Sequence, residues 1–151
     1  MTLYSTTRVL ALLLGMSGST AFAEGQSVDP VPITFLTIEA GERSDPLGLF
    51  SDEEISEGGS DVQPSIWYAT FPVDGGEVDL SILVDAWCGM SECPFRHRIR
   101  DSKGDVVHVG FRPPQFGMIC QGFFGETPDA ITYDPIHLTI QACGQTLDLK
   151  E

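Results

Sequence analysis

Four groups of residues in this 151-residue chain have types and spacings that could carry chemistry. The first is the cysteine set, Cys88, Cys93, Cys120 and Cys143. The second is the alternating run Arg96, Arg98 and Arg100, with Arg112 further along. The third is the pair His97 and His108. The fourth is an acidic stretch holding Asp45, Asp52, Glu53, Glu54, Glu57 and Asp61.

Each group admits a functional and an architectural reading. An even cysteine count in a small exported domain predicts two disulfides. Cys88 and Cys93 enclose the turn-like Gly89-Met90-Ser91-Glu92, and Cys120 and Cys143 lie in apolar runs that could be stapled as neighbouring strands. The Cys-x4-Cys spacing is not the Cys-x-x-Cys of a redox site, and a zinc site calls for ligand pairs at tighter spacing. Alternation on a strand puts Arg96, Arg98 and Arg100 on one face, and arginine forks suit planar anions such as carboxylate or phosphate. The competing expectation, which the sequence favours, is internal pairing. In that case the acidic 45–61 stretch, or sheet neighbours such as Asp79 and Asp85, would hold the arginines. The acidic stretch lacks a D-x-[DN]-x-[DN]-G calcium pattern and reads as a solvated loop. Phe123-Phe124, between Gly122 and Gly125, would turn one ring outward as an anchor for a partner.

Charge narrows the partner classes. The chain has 22 acidic against 8 basic residues, a net charge of −14. That balance argues against nucleic acid and anionic membrane surfaces, which need a basic footprint. The charge is polarised: residues 96–112 hold five bases and two acids, whereas residues 24–95 hold fifteen acids and one base. A basic protein partner is the class that such acidity attracts. No Gly-x-Ser-x-Gly, His-Glu-x-x-His or Walker loop is present. The expectation is therefore a non-enzymatic binding protein without a cofactor, of inhibitor or immunity type. A small-ligand or metal-binding protein is the alternative.

Residues 1–23 have the anatomy of a secretory signal peptide: Arg8, an apolar run from Val9 to Met16, and Ala21-Phe22-Ala23 before Glu24. Export to the periplasm or beyond is expected, with no membrane span after cleavage. Residues 24–32 read as a flexible arm, 33–151 as one β domain, and 41–64 as an acidic loop within it. Ser51, with Glu54 three residues on, would cap a short helical turn over 51–56.

The elements that must position these groups read as hairpins. Ser65–Val73 and Val78–Trp87 flank Asp74-Gly75-Gly76-Glu77. A Gly-Gly turn there pairs Val73 with Val78 and lines Trp67, Ala69, Phe71, Leu80, Ile82 and Val84 along one apolar face. Phe95–Arg100 and Asp105–Phe111 flank a loop ending at Gly104. A two-residue loop would set His97 opposite His108, as in a copper or zinc half-site. A three-residue loop with Gly104 in the left-handed region pairs Asp101 with Asp105 and suits the apolar pattern better. It places His108 with the arginines, opposite to His97. Further strands are expected at Ile33–Ala40, Phe116–Phe124, Ala130–Tyr133, Ile136–Ala142 and Thr146–Leu149. The fold class is all-β, an antiparallel sandwich or small barrel of seven or eight strands.

Overall fold

The computed structural model describes residues 29–38, 44–56, 65–84, 88, 92–113, 115–120 and 131–150. These form ten strands and one short helix: β1 (Val31–Pro32), β2 (Leu36–Ile38), α1 (Asp52–Ser56), β3 (Ser65–Val73), β4 (Gly76–Val84), β5 (Glu92–Asp101), β6 (Val106–Gly110), β7 (Gly117–Cys120), β8 (Thr132–Asp134), β9 (Thr139–Ala142) and β10 (Gln145–Asp148). The fold is all-β, with two antiparallel sheets. One sheet has the order β1-β8-β9-β10. The other has the order β2-β3-β4-β5-β6, and β7 shares the outer edge of β5 with β6. The strand count exceeds the expected seven or eight. Val31–Pro32 pairs with Thr132 and Tyr133 as a strand where a free arm was expected, and the three expected C-terminal strands form β8, β9 and β10.

The two sheets share one core. Phe71, Val78, Leu80, Ile82, Phe95 and Ile119 of the larger sheet pack with Tyr133, Ile140, Ala142 and Leu149. The Phe71 and Tyr133 rings lie 4.4 Å apart, centre to centre. Residues of the larger sheet's other face, Ile66 and Leu83, meet Phe50 and Ile55 of the acidic segment in a second cluster. The described part of that segment is therefore a covering layer and not a solvated loop. Two apolar side chains, Phe50 and Ile55, give it a reason to dock.

The β3–β4 hairpin keeps the expected faces but slides by two residues. Val73 pairs with Gly76, Phe71 with Val78 and Trp67 with Ile82. The loop is Asp74-Gly75, with Gly75 at φ 82°, so the turn is Asp-Gly and not Gly-Gly. An even slip leaves every side chain on its own face, which is why the apolar pattern could not detect it. Gly76 belongs to the strand because β5 passes directly over it. A Cβ there would collide with the Arg100 carbonyl oxygen. We expect Gly76→Ala to cost about 1–3 kcal/mol, measured as a lower urea midpoint with an unchanged slope.

The β9–β10 turn falls in the gap between the expected strands Ile136–Ala142 and Thr146–Leu149. Cys143 and Gly144 both have positive φ, 48° and 74°, and Ala142 pairs with Gln145. That is the backbone of a two-residue primed turn. A non-glycine residue pays strain in that region, and Cys143 is disulfide-bonded. The structure defines one disulfide at both ends, Cys88–Cys93, where two were expected. The side chain of Cys120 lies outside the described residues. Among the described residues, no helix is long and apolar enough to cross a membrane.

Candidate functional site

Strand β5 divides the candidate residues between two faces. Cys93, Phe95, His97 and Ile99 point into the shared core, and Arg96, Arg98 and Arg100 point to the other side. The expected arginine face thus exists. Its surroundings decide what it can do.

Arg96 is 2% exposed. Its Nη1 and Nη2 donate to the two Glu54 carboxylate oxygens at 2.8 and 2.6 Å, a two-pronged ion pair. Nη1 also donates to the Leu49 carbonyl and Nε to the Gln115 carbonyl. The Phe50 ring sits 4.6 Å from the guanidinium carbon. Arg96 thereby ties β5 to the covering segment and to the stretch before β7. Glu54 is itself placed by local chemistry. Its carboxylate accepts from the Ser51 backbone N–H, and the Ser51 hydroxyl accepts from the Glu54 N–H, closing the capping box foreseen for α1.

The Arg96 fork, aided by Ser51, holds the Glu54 carboxyl down at about 2, against a desolvation that pushes it up. The unfolded chain, near the ordinary 4.5, binds a proton first as the pH falls. The stabilisation is complete above about 4.5 and drains away towards about 2. We expect acid unfolding followed by tryptophan fluorescence to show this loss, and Glu54→Gln to lack its share of the slope.

Arg98 and Arg100 converge on Asp79 of β4, which is 0% exposed. Arg98 Nε donates at 2.7 Å to one Asp79 oxygen, and Arg100 donates to both, at 3.0 and 2.8 Å. The Thr70 hydroxyl adds a fourth donor at 2.7 Å. Burial alone would raise the Asp79 pKa, but bonds from Arg100, Thr70 and Arg98 outweigh it and leave the carboxyl below its ordinary value. Asp79 in turn raises Arg100 above the usual arginine range. Arg100 also reaches Glu77 at 3.1 Å. Two guanidiniums therefore face two carboxylates, and the quartet carries no net charge.

The segment before α1 is knotted by Asp45. Its oxygens accept from the backbone N–H groups of Leu47, Leu49 and Phe50 and from the Ser81 hydroxyl of β4. The sequence pointed to the 45–61 acids as a group. It did not single out Asp45, whose role depends on Ser81 36 residues away.

The histidines correct the register chosen from sequence. The turn forms as expected, with the Asp101 N–H donating to the Asp105 carbonyl and Arg100 pairing with Val106. A β-bulge then skips Val107, so Ile99 pairs with His108 and His97 with Gly110. The one-residue shift returns His108 to the His97 face. The two rings lie 5.7 Å apart with planes 29° from parallel. His97 is 1% exposed, and its Nε2 lies 2.8 Å from the Leu149 carbonyl. Burial holds its pKa below the ordinary 6.5; the Leu149 bond opposes this and His108 adds to it.

The other expected site residues do not join a cluster. Arg112 is exposed in the turn after β6. Phe123 and Phe124 lie outside the described residues. His137 meets Asp134 at 2.6 Å within one surface turn, where the His137 backbone N–H, and after it the His137 side chain, hold the Asp134 carboxyl at about 2. A shallow polar depression lies at the β9–β10 turn, lined by Thr132, Gln141, Gln145 and Thr146. Among the described residues, no three His, Cys, Asp or Glu side chains gather as metal ligands. No protein-family model, curated protein or solved structure matches this chain.

Proposed function

We propose that the chain is an exported, non-enzymatic binding protein of the cell envelope, an inhibitor or immunity-type module whose partner is a basic protein. The observation that carries this reading is the internal commitment of Arg96, Arg98 and Arg100. With those cations spent inside, an anionic ligand has no free arginine fork on β5 to meet. The acid excess belongs to the sequence as a whole, and among the described residues Asp52 and Glu53 of α1 are exposed. A field of that sign speeds capture of a cationic partner and is screened by salt.

The test is capture from the envelope fraction, with a wash series up to about 0.5 M salt. The expected result is a basic protein retained at low salt, released at high salt, and held less well by Asp52→Asn/Glu53→Gln. Absence of any salt-sensitive protein partner overturns the reading. N-terminal sequencing of the exported protein should begin at Glu24.

A further inference from the structure

Among the described residues, two buried side-chain polar atoms make no hydrogen bond: His97 Nδ1 and His108 Nε2. Buried polar atoms are almost always paired, so two orphans on adjacent rings call for an explanation. We propose that the two imidazoles are a proton-operated latch: neutral, they hold strand β6 against β5, and protonated, they release it. This goes beyond the protein-binding reading and does not depend on it.

Neutral rings fit the site. His97 Nε2 faces the Leu149 carbonyl, an oxygen that can only accept, so Nε2 carries the proton and Nδ1 is left with a lone pair. Leu149 is fixed in turn, since its N–H donates to the Leu138 carbonyl. Strand β6 and the residue after it wall the ring. The ring lies across Gly110, where a Cβ would strike it. His108 stacks on it at 5.7 Å, and Phe111 meets it edge-on at 6.3 Å. A proton added at Nδ1 makes a buried cation with no acceptor to receive it, and a second on His108 sets like charges side by side. Moving β6 aside hydrates both nitrogens.

Among the described residues, no countercharge stands on this side of β5. Arg96, Arg98 and Arg100 point to the other face, and so do Glu77 and Asp79 of β4, while Leu80 pairs with His97. The titratable group that β6 itself brings is His108. In the β5–β6 turn, Asp101 is occupied by the Lys103 and Asp105 N–H groups, and Lys103 and Asp105 are exposed. Arg112, Asp148 and Lys150 are exposed as well, and His137 is tied to Asp134. Tyr133 of the smaller sheet lies on Phe71. Strand β6 is also built to leave. Its Val106 and Val107 are 52% and 62% exposed, and its pairing is interrupted by the bulge. Phe111, at its end, has φ 57°, a region that strains a bulky residue.

His97 is held below the ordinary 6.5, so the opened state takes the proton first. The latch is closed above about 6.5 and weakens as the pH falls below it. Glu54 gives way only below about 4.5, so the two losses occupy different pH ranges. The experiment follows amide hydrogen exchange and imidazole nitrogen shifts by NMR on the full chain, between about pH 7 and about pH 5. Protection of the β6 amides should fall by at least about fivefold, in step with protonation of His97 Nδ1, while β3 and β4 keep theirs. His97→Gln, which retains a donor for the Leu149 carbonyl, should remove this dependence. Constant β6 protection across the range overturns the proposal. So does an equal fall in β3 and β4, or an undiminished fall in His97→Gln. The exchange reading uses the unaltered protein, so it stands even if the variant fails to fold.

Discussion

Replacing Arg96 with methionine is expected to destabilise the protein by about 3 kcal/mol, since removing one member of a buried pair costs about 3–5 kcal/mol. Methionine supplies a similar apolar stem, so lost volume is a minor part of the effect. The main cost is polar. The Leu49 and Gln115 carbonyls lose their donors, and Glu54 loses both prongs of its partner. Glu54 is 24% exposed and recovers some hydration, which places the estimate at the lower end of the range. Denaturant unfolding measures the loss. Hydrogen exchange locates it, with faster exchange at Leu49, Phe50 and Ile55 than in β3 and β4. A docking arginine would behave in the opposite way, since its removal leaves stability unchanged.

The second large effect is at Asp79. Asp79→Asn keeps the shape but sets a neutral amide against Arg98 and Arg100. One amide oxygen replaces two carboxylate oxygens, and the amide NH2 faces guanidinium N–H groups that can only donate. Both arginines are about a quarter exposed, at 29% and 27%, and can turn to water. The expected loss is therefore about 2 kcal/mol, below the full penalty for an orphaned buried charge. Paired measurements near pH 7 and pH 3 refine it. Asp79 is held below its ordinary value, so its share is present at neutral pH and drains away in acid. The difference between native and variant proteins should shrink at the lower pH. A constant difference would mean that the carboxylate charge is not what holds the quartet.

Much of this architecture was legible in the sequence because it rests on parity. Alternation assigns Trp67, Ala69, Phe71, Val78, Leu80 and Ile82 to one face whatever the exact register. The same alternation gathers Arg96, Arg98 and Arg100, and the Ser51–Glu54 spacing marks α1. What escaped reading depends on odd shifts or on distance. The Val107 bulge moves His108 between faces without any local composition cue. The link from His97 to Leu149 spans 52 residues, and the link from Asp45 to Ser81 spans 36. Polar side chains that find partners so far along the chain leave no periodic trace.

The central claim is that the β5 arginines are spent inside the fold. A double-mutant cycle between Arg96→Met and Glu54→Gln, by denaturant unfolding, tests it most directly. Direct contact predicts a coupling of about 1.5–3 kcal/mol, with the double variant less damaged than the two single losses added together. A coupling near zero, with Arg96→Met as stable as the native protein, would contradict it and return Arg96 to the surface as a docking residue.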